Sequence, residues 1–300
     1  MALNLQRLEV LVTVAEAGSF SAAARLLFLS QPSVSHHVRQ LEQEVGQPLL
    51  ERAVGQVRPT PAGAALLRHA RPLLRLAEQA LAETRHAAGV PTGTLTVGAS
   101  TTAAANVLPA LLARYGTRHP GVDHRLVVRN ATEIERLLVE GELGLALLAG
   151  PRRQNAALAT EEVLTDEMVL LAPAGHPLAG VRVAPRHLRG SRFLLRERGS
   201  ATRTLQDAAL DRWQVPGATT STIDDTHAIL QAVACGLGLA VLSWLVAADP
   251  VTAGRLVALD VDPAPGERQI VIAHHVNHVL TPAEALLLDL ARERKKAGEA

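Results

Sequence analysis

The segment 30–45 predicts a helix with one apolar and one polar side, and it limits the folds open to this chain more than any other segment. Its large apolar residues recur at the spacing of a buried stripe on a helix, and they are Val34, Val38, Leu41 and Val45. Ser30 or Gln31 can cap this helix, and Pro32 suits its first turn because a missing N–H costs no intrahelical hydrogen bond there. The pattern therefore indicates a helix that packs on a core along one side only.

The polar side of this helix carries hydrogen-bonding groups that suit base edges and phosphates. Its candidate DNA-binding residues are Gln31, Pro32, Ser33, Ser35, His36, Arg39 and Gln40. Glu42 and Glu44 lie at the far end, and His37 turns toward the buried side at about 100° per residue. A recognition helix is polarised in this way because its N-terminal part enters the major groove. The alternative is an ordinary helix with a polar outer surface.

Two shorter helical patterns come before this helix, and a hairpin follows it. Gly18 ends a first helix that begins near Leu5, and Ser19 can cap a second helix that runs to Leu27. The segment 50–60 is typical of a hairpin that turns at Gly55. Residues 1–60 contain five arginines and five glutamates, so only a sorted distribution of these charges can form a basic surface.

Four runs within these residues resemble the signature of LysR-type transcriptional regulators. They are Gly18-Ser-Phe-Ser-Ala-Ala-Ala-Arg-Leu-Leu27, Ser30-Gln-Pro-Ser-Val-Ser-His-His-Val-Arg-Gln-Leu-Glu42, Gly46-Gln-Pro-Leu-Leu-Glu-Arg52 and Thr60-Pro-Ala-Gly63. The family usually has phenylalanine where this chain has Val10 or Leu11, and commonly Leu-Phe at Leu49-Leu50. These departures exchange one apolar residue for another, so they should affect packing rather than binding.

The resemblance implies a DNA-binding transcriptional regulator with an all-α winged helix-turn-helix at its N-terminus. The hairpin would be the wing, where Arg52 and Arg58 contact phosphates or the minor groove; solvated surface arginines are the alternative. The implied partners are double-stranded promoter DNA, a small-molecule effector and other copies of the chain in a homodimer or homotetramer, with RNA polymerase as a further candidate. Effector binding would change the bending of the DNA and the output of the promoter.

A long helix is predicted from Pro61 to about Ala88, with Thr60 as its cap. Leu67, Leu74 and Leu81 repeat every seven residues along it, which is the spacing of a helix-pairing seam. Pairing would make the chain a dimer, as a two-fold DNA site requires. Packing of the helix on the rest of its own chain is the alternative. Pro72 should kink the helix or loosen one turn.

The remaining two hundred residues alternate between strand and helix patterns, which predicts an α/β domain with a mostly parallel sheet. The predicted strands are 95–98, 122–128, 143–149 and 168–172, and the predicted helices are 107–115 and 134–140. The resemblance implies two lobes like those of type 2 periplasmic binding proteins, crossovers near 161–165 and 261–268, and a final helix, 282–294, returning to the first lobe. The expected domains are 1–60, 61–89 and 90–300, with subdomain I at 90–163 and 265–300 and subdomain II at 164–264.

Ligands of open α/β sheets bind beyond the carboxyl ends of strands, often at helix N-termini. Two segments match this description: the run Ser100-Thr101-Thr102 and the run that begins at Arg196. Helix capping and solvated arginines are the alternatives. The candidate effector-binding residues are Ser100, Thr101, Thr102, Ala149, Gly150, Arg196, Ser200, Thr202, Arg203 and Thr226. Free N–H groups, hydroxyls and guanidinium groups favour a small anion, either an inorganic oxyanion, a small carboxylate or a phosphate ester.

Other functional classes find little support in the sequence. The chain has no P-loop, no complete dinucleotide fingerprint and no Ser-His-Asp signature, so we expect neither a cofactor nor enzyme activity. His274, His275 and His278 lack further ligands for a metal, and Cys235 is the single cysteine. With no export signal or membrane span recognised, we expect a cytoplasmic protein. The rivals are a solute-binding transport component and an enzyme on the same two-lobed scaffold.

Overall fold

The computed structural model describes residues 3–53, 56–85, 93–150 and 155–297. The N-terminal part contains four helices and one hairpin within the described residues. These elements are α1 (Leu5–Ala17), α2 (Phe20–Leu26), α3 (Gln31–Val45), β1 (Leu50–Ala53), β2 (Gln56–Pro59) and α4 (Pro61–Arg85). Gly55 and residues 89–92, where a turn and a linker are predicted, lie outside the described residues.

Capping residues mark the boundaries of the first three helices, and Gly18, Ser19 and Ser30 do so as the sequence predicts. The side chain of Ser19 accepts a hydrogen bond from the backbone N–H of Ala22, and that of Ser30 accepts one from Ser33. Gly18 and Gly46 adopt left-handed backbone conformations, with φ of 62° and 77°, and end α1 and α3. The boundaries of these helices therefore follow from local chemistry.

The buried side of α3 faces α1 and α2. Val34, Val38 and Leu41 are at most 2% exposed, and Ala23 on α2 is fully buried where the two helices cross closely. The predicted stripe is wrong at its last residue, because Val45 is 36% exposed at the C-terminal end of α3. The stripe thus ends one helical turn earlier than the sequence pattern.

The helix α4 belongs to the DNA-binding domain along its first half. Leu67 and Ala70 are buried against α1 and α3, and Leu74 packs on the same core, whereas Leu81 is 58% exposed. The predicted seven-residue seam is therefore divided: its first part packs within the chain, and only its later part is open to a partner helix. The helix continues through Pro72 without interruption.

The C-terminal part is built on one eight-stranded sheet and one two-stranded sheet. Its helices are α5 (Thr101–Asn106), α6 (Leu108–Arg118), α7 (Ala131–Val139), α8 (Ala201–Trp213), α9 (Thr226–Ala234), α10 (Trp244–Thr252) and α11 (Pro282–Ala297). Its strands are β3 (Gly93–Ser100), β4 (Val122–Arg129), β5 (Leu145–Gly150), β6 (Leu158–Pro173), β7 (Arg182–Val183), β8 (Arg192–Leu195), β9 (Thr219–Thr222), β10 (Ala240–Ser243), β11 (Leu256–Val261) and β12 (Glu267–His275).

The large sheet is mixed, so the prediction of a mostly parallel sheet is wrong. Its order is β4-β3-β5-β12-β6-β11-β7, with β10 also pairing with β6. The strands β3, β4 and β5 are parallel to one another, but β12 pairs antiparallel with β5 and β6, and β10 and β11 pair antiparallel with β6. The strand β6 is also longer than predicted, with 16 residues where the sequence pattern indicates only 168–172.

The strand β6 passes through both lobes and includes the predicted crossover 161–165. Its first part pairs with β12, and its last residues pair with β10 and β11. In the first lobe, α6 and α11 pack on one side of the sheet, which confirms the predicted return of the final helix. The second lobe has separate cores beneath α8 and beneath α9 and α10.

Candidate DNA interface and effector cleft

The predicted recognition residues lie together on one side of α3 and near its N-terminus. Four of them are exposed: Gln31, Pro32, His36 and Arg39. Ser33, Ser35 and Gln40 are half-buried beside them. His37 is directed inward, and its Nδ1 atom is buried without a hydrogen-bond partner among the described residues. The surface open to DNA thus carries hydroxyls, amides, an imidazole and a guanidinium.

Two glutamates of α3 are engaged inside the protein. The Oε1 atom of Glu42 accepts hydrogen bonds from the backbone N–H groups of Leu49, at 2.8 Å, and Leu50, at 3.4 Å. Glu44 forms an ion pair with Arg7 on α1. These carboxylates bind the start of the hairpin and α1.

The hairpin β1–β2 occupies the position of a wing. Its strands are antiparallel, and the N–H of Val57 donates to the carbonyl of Gly18 at 2.8 Å, which ties the hairpin to the end of α1. Arg58 is exposed on β2, opposite Glu51. Arg52 lies on β1, but its side chain is outside the part of the chain that the structure describes. Arg58 is therefore placed where a phosphate contact is sterically open.

A second candidate site lies between the two lobes of the C-terminal part, where α5, α7, β5, α8 and β12 meet. This cleft is narrow. Its lining includes most of the predicted effector-binding residues, together with residues that the sequence did not single out. The lining consists of Ser100, Thr101, Thr102, Asn130, Ala131, Ala149, Arg196, Ser200, Ala201, Thr202 and Arg268.

The guanidinium of Arg268 is the main charged group of this cleft that lacks a full set of partners. Its Nε atom donates to Asp166 at 2.8 Å, and its Nη1 atom donates to the hydroxyl of Thr202 at 3.0 Å. Its Nη2 atom is buried without an acceptor among the described residues. The side chain is 1% exposed, so water cannot readily satisfy that donor.

Asp166 neutralises Arg268 from below the cleft. Its carboxylate is fully buried and also accepts a hydrogen bond of 2.8 Å from the hydroxyl of Ser243. Burial lowers the pKa of the Arg268 guanidinium, whereas the neighbouring charge of Asp166 opposes that change. An arginine keeps its proton in proteins, so Arg268 remains a cation whose Nη2 atom can donate to an anionic ligand.

Arg196, one of the two arginines that the sequence offers, already has a partner at each of its three nitrogen atoms. Its Nε and Nη2 atoms bind the two carboxylate oxygens of Glu197 at 2.8 and 3.0 Å, and its Nη1 atom donates to the hydroxyl of Thr226. Arg203 does not line the cleft, because it pairs with Asp207 at 2.8 Å and donates to the carbonyl of Arg196 at 2.9 Å. Both arginines hold the loop that precedes α8.

The serines at the two helix starts differ in their hydrogen bonding. The hydroxyl of Ser100 accepts the N–H of Ala149 at 2.8 Å, which joins the ends of β3 and β5. Ser200 occupies the N-cap position of α8, yet its side chain makes no capping hydrogen bond. The first turn of α8 therefore presents N–H groups and the positive end of a 13-residue helix near Arg268.

Two larger cavities flank the cleft. One lies between α5, α9 and α10 and is lined by Thr101, Thr102 and Thr226 among others. The other is lined by Ala149, Gly150 and Gln269 together with residues of α7 and β6. The predicted effector residues other than Arg203 thus divide among three spaces, and Arg268 lines the narrow one.

Among the described residues, no helix is long and apolar enough to cross a membrane. Within the same part of the chain, no group of three or more histidine, cysteine, aspartate or glutamate side chains is placed to hold a metal ion.

A winged helix-turn-helix joined to a two-lobed ligand-binding domain defines the class of ligand-sensing, DNA-binding transcriptional regulators. The family model of the bacterial regulatory helix-turn-helix protein, lysR family, matches residues 5–64. The model of the LysR substrate binding domain matches residues 88–296. The chain therefore belongs to the LysR family of transcriptional regulators.

Known proteins agree with this assignment over the whole chain. The HTH-type transcriptional regulator CfxR of Cupriavidus necator is 36% identical over 283 residues, covering 94% of this chain and 89% of CfxR. A full-length OxyR variant from Pseudomonas aeruginosa has a TM-score of 0.76 at 25% identity, covering 99% of this chain and 95% of OxyR. The regulatory domain of Synechocystis CcmR in complex with 2-PG has a TM-score of 0.63 at 28% identity, covering 68% of this chain and 98% of that domain.

Proposed function

We propose that this regulator senses a small anion that binds in the interlobe cleft against Arg268 and the first turn of α8. The buried Nη2 atom of Arg268, which has no acceptor among the described residues, carries the proposal. An isolated buried N–H of a charged group is costly, and an anionic oxygen supplies the missing acceptor. The complex of the CcmR regulatory domain with 2-PG makes 2-PG a reasonable member of the ligand panel.

Calorimetry of the full chain against phosphate, sulfate, 2-PG and small carboxylates tests this proposal. One anion should bind with a one-to-one stoichiometry, and Arg268→Gln should weaken it about tenfold or more, because a charge-assisted hydrogen bond is lost. Arg198→Gln is the matched control, since it removes the same charge from an exposed residue of the neighbouring loop. Failure of every anion to bind, or equal losses in both variants, would contradict the proposed ligand class.

For DNA, we propose that the candidate residues of α3 read bases and that Arg52 and Arg58 contact the backbone. A duplex that the wild-type protein selects from a random-sequence pool serves as the probe. Arg39→Ala should cost about 1–3 kcal/mol of binding and relax the base preference, whereas Arg58→Ala should weaken all sequences and reduce the salt dependence. Arg186→Ala removes an exposed charge from the second lobe and should leave binding unchanged.

Arg71 offers a physical connection between the effector domain and the DNA-binding domain. It lies on α4, with a side chain 11% exposed, and pairs with Glu142 at 3.2 Å and Glu16 of α1 at 3.4 Å. It also donates to the carbonyl of Glu140 at the end of α7. We propose that movement of the first lobe on ligand binding reaches α1 through this side chain and alters DNA bending. The Arg71→Met variant should bind the anion with the affinity of the wild type. The anion should no longer change the electrophoretic mobility of the complex between this variant and DNA.

Assembly into a homodimer and homotetramer is also proposed. Leu73, Leu76 and Leu81 on α4 are 42%, 43% and 58% exposed, and Leu76 and Leu81 follow Leu74, which packs on the core of the DNA-binding domain. Light scattering after chromatography should give a smaller species for Leu76→Glu than for the wild type. An unchanged mass would rule out pairing along this surface.

The remaining elements of the proposal follow from the family and the sequence. Because LysR members are transcriptional regulators, we propose that the chain catalyses no reaction and acts in the cytoplasm, with RNA polymerase as a candidate partner. The proposed domains are 1–60, 61–89 and 90–300.

A further inference from the structure

The turn between α2 and α3 exposes an aromatic residue that the protein fold does not use for packing. Phe28 is 96% exposed, and Leu26, at the end of α2, is 65% exposed beside it in the sequence. Arg25 and Ser30 around them are also exposed. Such a patch of large apolar side chains, next to polar residues, is unusual at the surface of a small helical domain and calls for a physical reason.

The backbone conformation of Phe28 makes this placement unfavourable for stability. Its φ is 54°, in the left-handed region. The N–H of Leu29 donates to the carbonyl of Ala24 at 2.9 Å, and the N–H of Phe28 donates to that of Arg25 at 3.3 Å. These two bonds form a Schellman motif, in which glycine normally occupies the position of Phe28 because it has no Cβ. Phenylalanine therefore strains the turn and gains almost no burial in return.

The position of the turn indicates what could cover the ring. Phe28 lies two residues before Ser30, which caps α3, and three before the exposed Gln31. The first turn of a recognition helix enters the major groove, so the residues just before it lie at the edge of the groove. Phenylalanine can contact thymine methyl groups there, and the exposed Arg25 adds a charge suited to a phosphate. Phe28 and Leu26 are thus close in sequence to the predicted DNA-reading residues of α3.

We propose that Phe28, with Leu26 beside it, binds DNA by packing against apolar groups at the edge of the major groove. The left-handed turn holds the ring away from the protein core and toward the groove. The proposal rests on α3 being the DNA-reading helix, which the variant Arg39→Ala tests separately. Binding to DNA then offsets a strain that the free protein carries.

The test compares stability and DNA affinity in the same variants of the full chain. The probe is the duplex that the wild-type protein selects from a random-sequence pool. Asparagine tolerates the left-handed conformation, so Phe28→Asn should raise the melting temperature or leave it unchanged, yet weaken DNA binding about fivefold or more. Phe28→Tyr keeps the ring and should bind within about twofold of the wild type.

The matched control is Gln214→Asn in the second lobe. Gln214 also has a positive φ, 47°, at the end of α8, and it is exposed. Its replacement should relieve similar strain without changing DNA affinity. Wild-type affinity in Phe28→Asn would overturn the proposal, since the patch would then face a protein partner or nothing. A fall in melting temperature together with affinity would overturn it as well, because the ring would then be structural.

Discussion

Replacing Arg268 with methionine should destabilise the effector domain strongly, because it leaves the carboxylate of Asp166 buried without its cation. Both side chains of the pair are at most 1% exposed, and their Nε and Oδ2 atoms are 2.8 Å apart. Breaking a buried ion pair by removing one partner costs about 3–5 kcal/mol. For a domain of this size, each kcal/mol lowers the melting temperature by about 2–4 °C, so Arg268→Met should lower it by roughly 6–20 °C.

Tryptophan fluorescence can follow this unfolding selectively. The chain has two tryptophans, and both Trp213 and Trp244 lie in the second lobe. Thermal melts of the wild type, Arg268→Met and the double variant Asp166→Leu with Arg268→Met should show that the double variant recovers most of the loss, because no charge then remains buried.

The control pair for this experiment is Arg182–Asp262, whose side chains are 74% and 58% exposed at a distance of 2.9 Å. Arg182→Met should cost less than about 1 kcal/mol, since water screens an exposed pair. If Arg268→Met costs no more than Arg182→Met, the interlobe pair is hydrated in solution and the reasoning about a dry, cationic cleft is wrong.

Two further predictions concern other parts of the chain. Gly63→Ala should destabilise the DNA-binding domain by about 1–3 kcal/mol or more, because a Cβ there would lie 1.9 Å from the carbonyl oxygen of Leu49. The control is Gly46→Ala, whose Cβ would meet no atom within 4 Å, so it should show only the cost of its positive φ. Unfolding followed by far-ultraviolet circular dichroism measures both variants. Burial, and then the charges of His278, His274 and His69, lowers the pKa of His275 below 6.5, so the folded state favours the neutral ring and loses stability as the pH falls below about 6.5. His275→Asn should reduce this loss in melts between pH 7 and pH 5, and identical pH profiles would contradict the assignment.

The DNA-binding domain could be predicted from the sequence because its signals are local. Caps such as Ser19 and Ser30 act on backbone groups within three residues, and left-handed glycines such as Gly18 end helices by their own geometry. The period of apolar residues then decides which side of α3 is buried, except at Val45, where the neighbouring helices end before the pattern does.

The alternation of buried and exposed residues along β6 and β12 could have pointed to the centre of the candidate effector cleft. The sequence pattern did not show where these two strands begin. Arg268 shares the buried side of β12 with Ile270 and Ile272, and Asp166 shares that of β6 with Met168. Alternation therefore places both charges inward. Because the sequence pattern indicates a crossover at 261–268 and a strand that begins at Met168, it favours Ser100-Thr101-Thr102 and the run that begins at Arg196 instead.

The sequence by itself determined the family and the caps and polarity of α3, and it predicted an effector site at the ends of strands. Only the tertiary structure decided the hydrogen bonding of the arginines. Each nitrogen of Arg196 has a partner in Glu197, a neighbour in sequence, or Thr226, thirty residues away, whereas Arg268 meets Asp166 across 102 residues and its Nη2 atom has no acceptor among the described residues. Sequence patterns record which face of a helix or strand is buried. They do not record which donors and acceptors are left without partners after distant strands pair, and those groups determine where a ligand can bind.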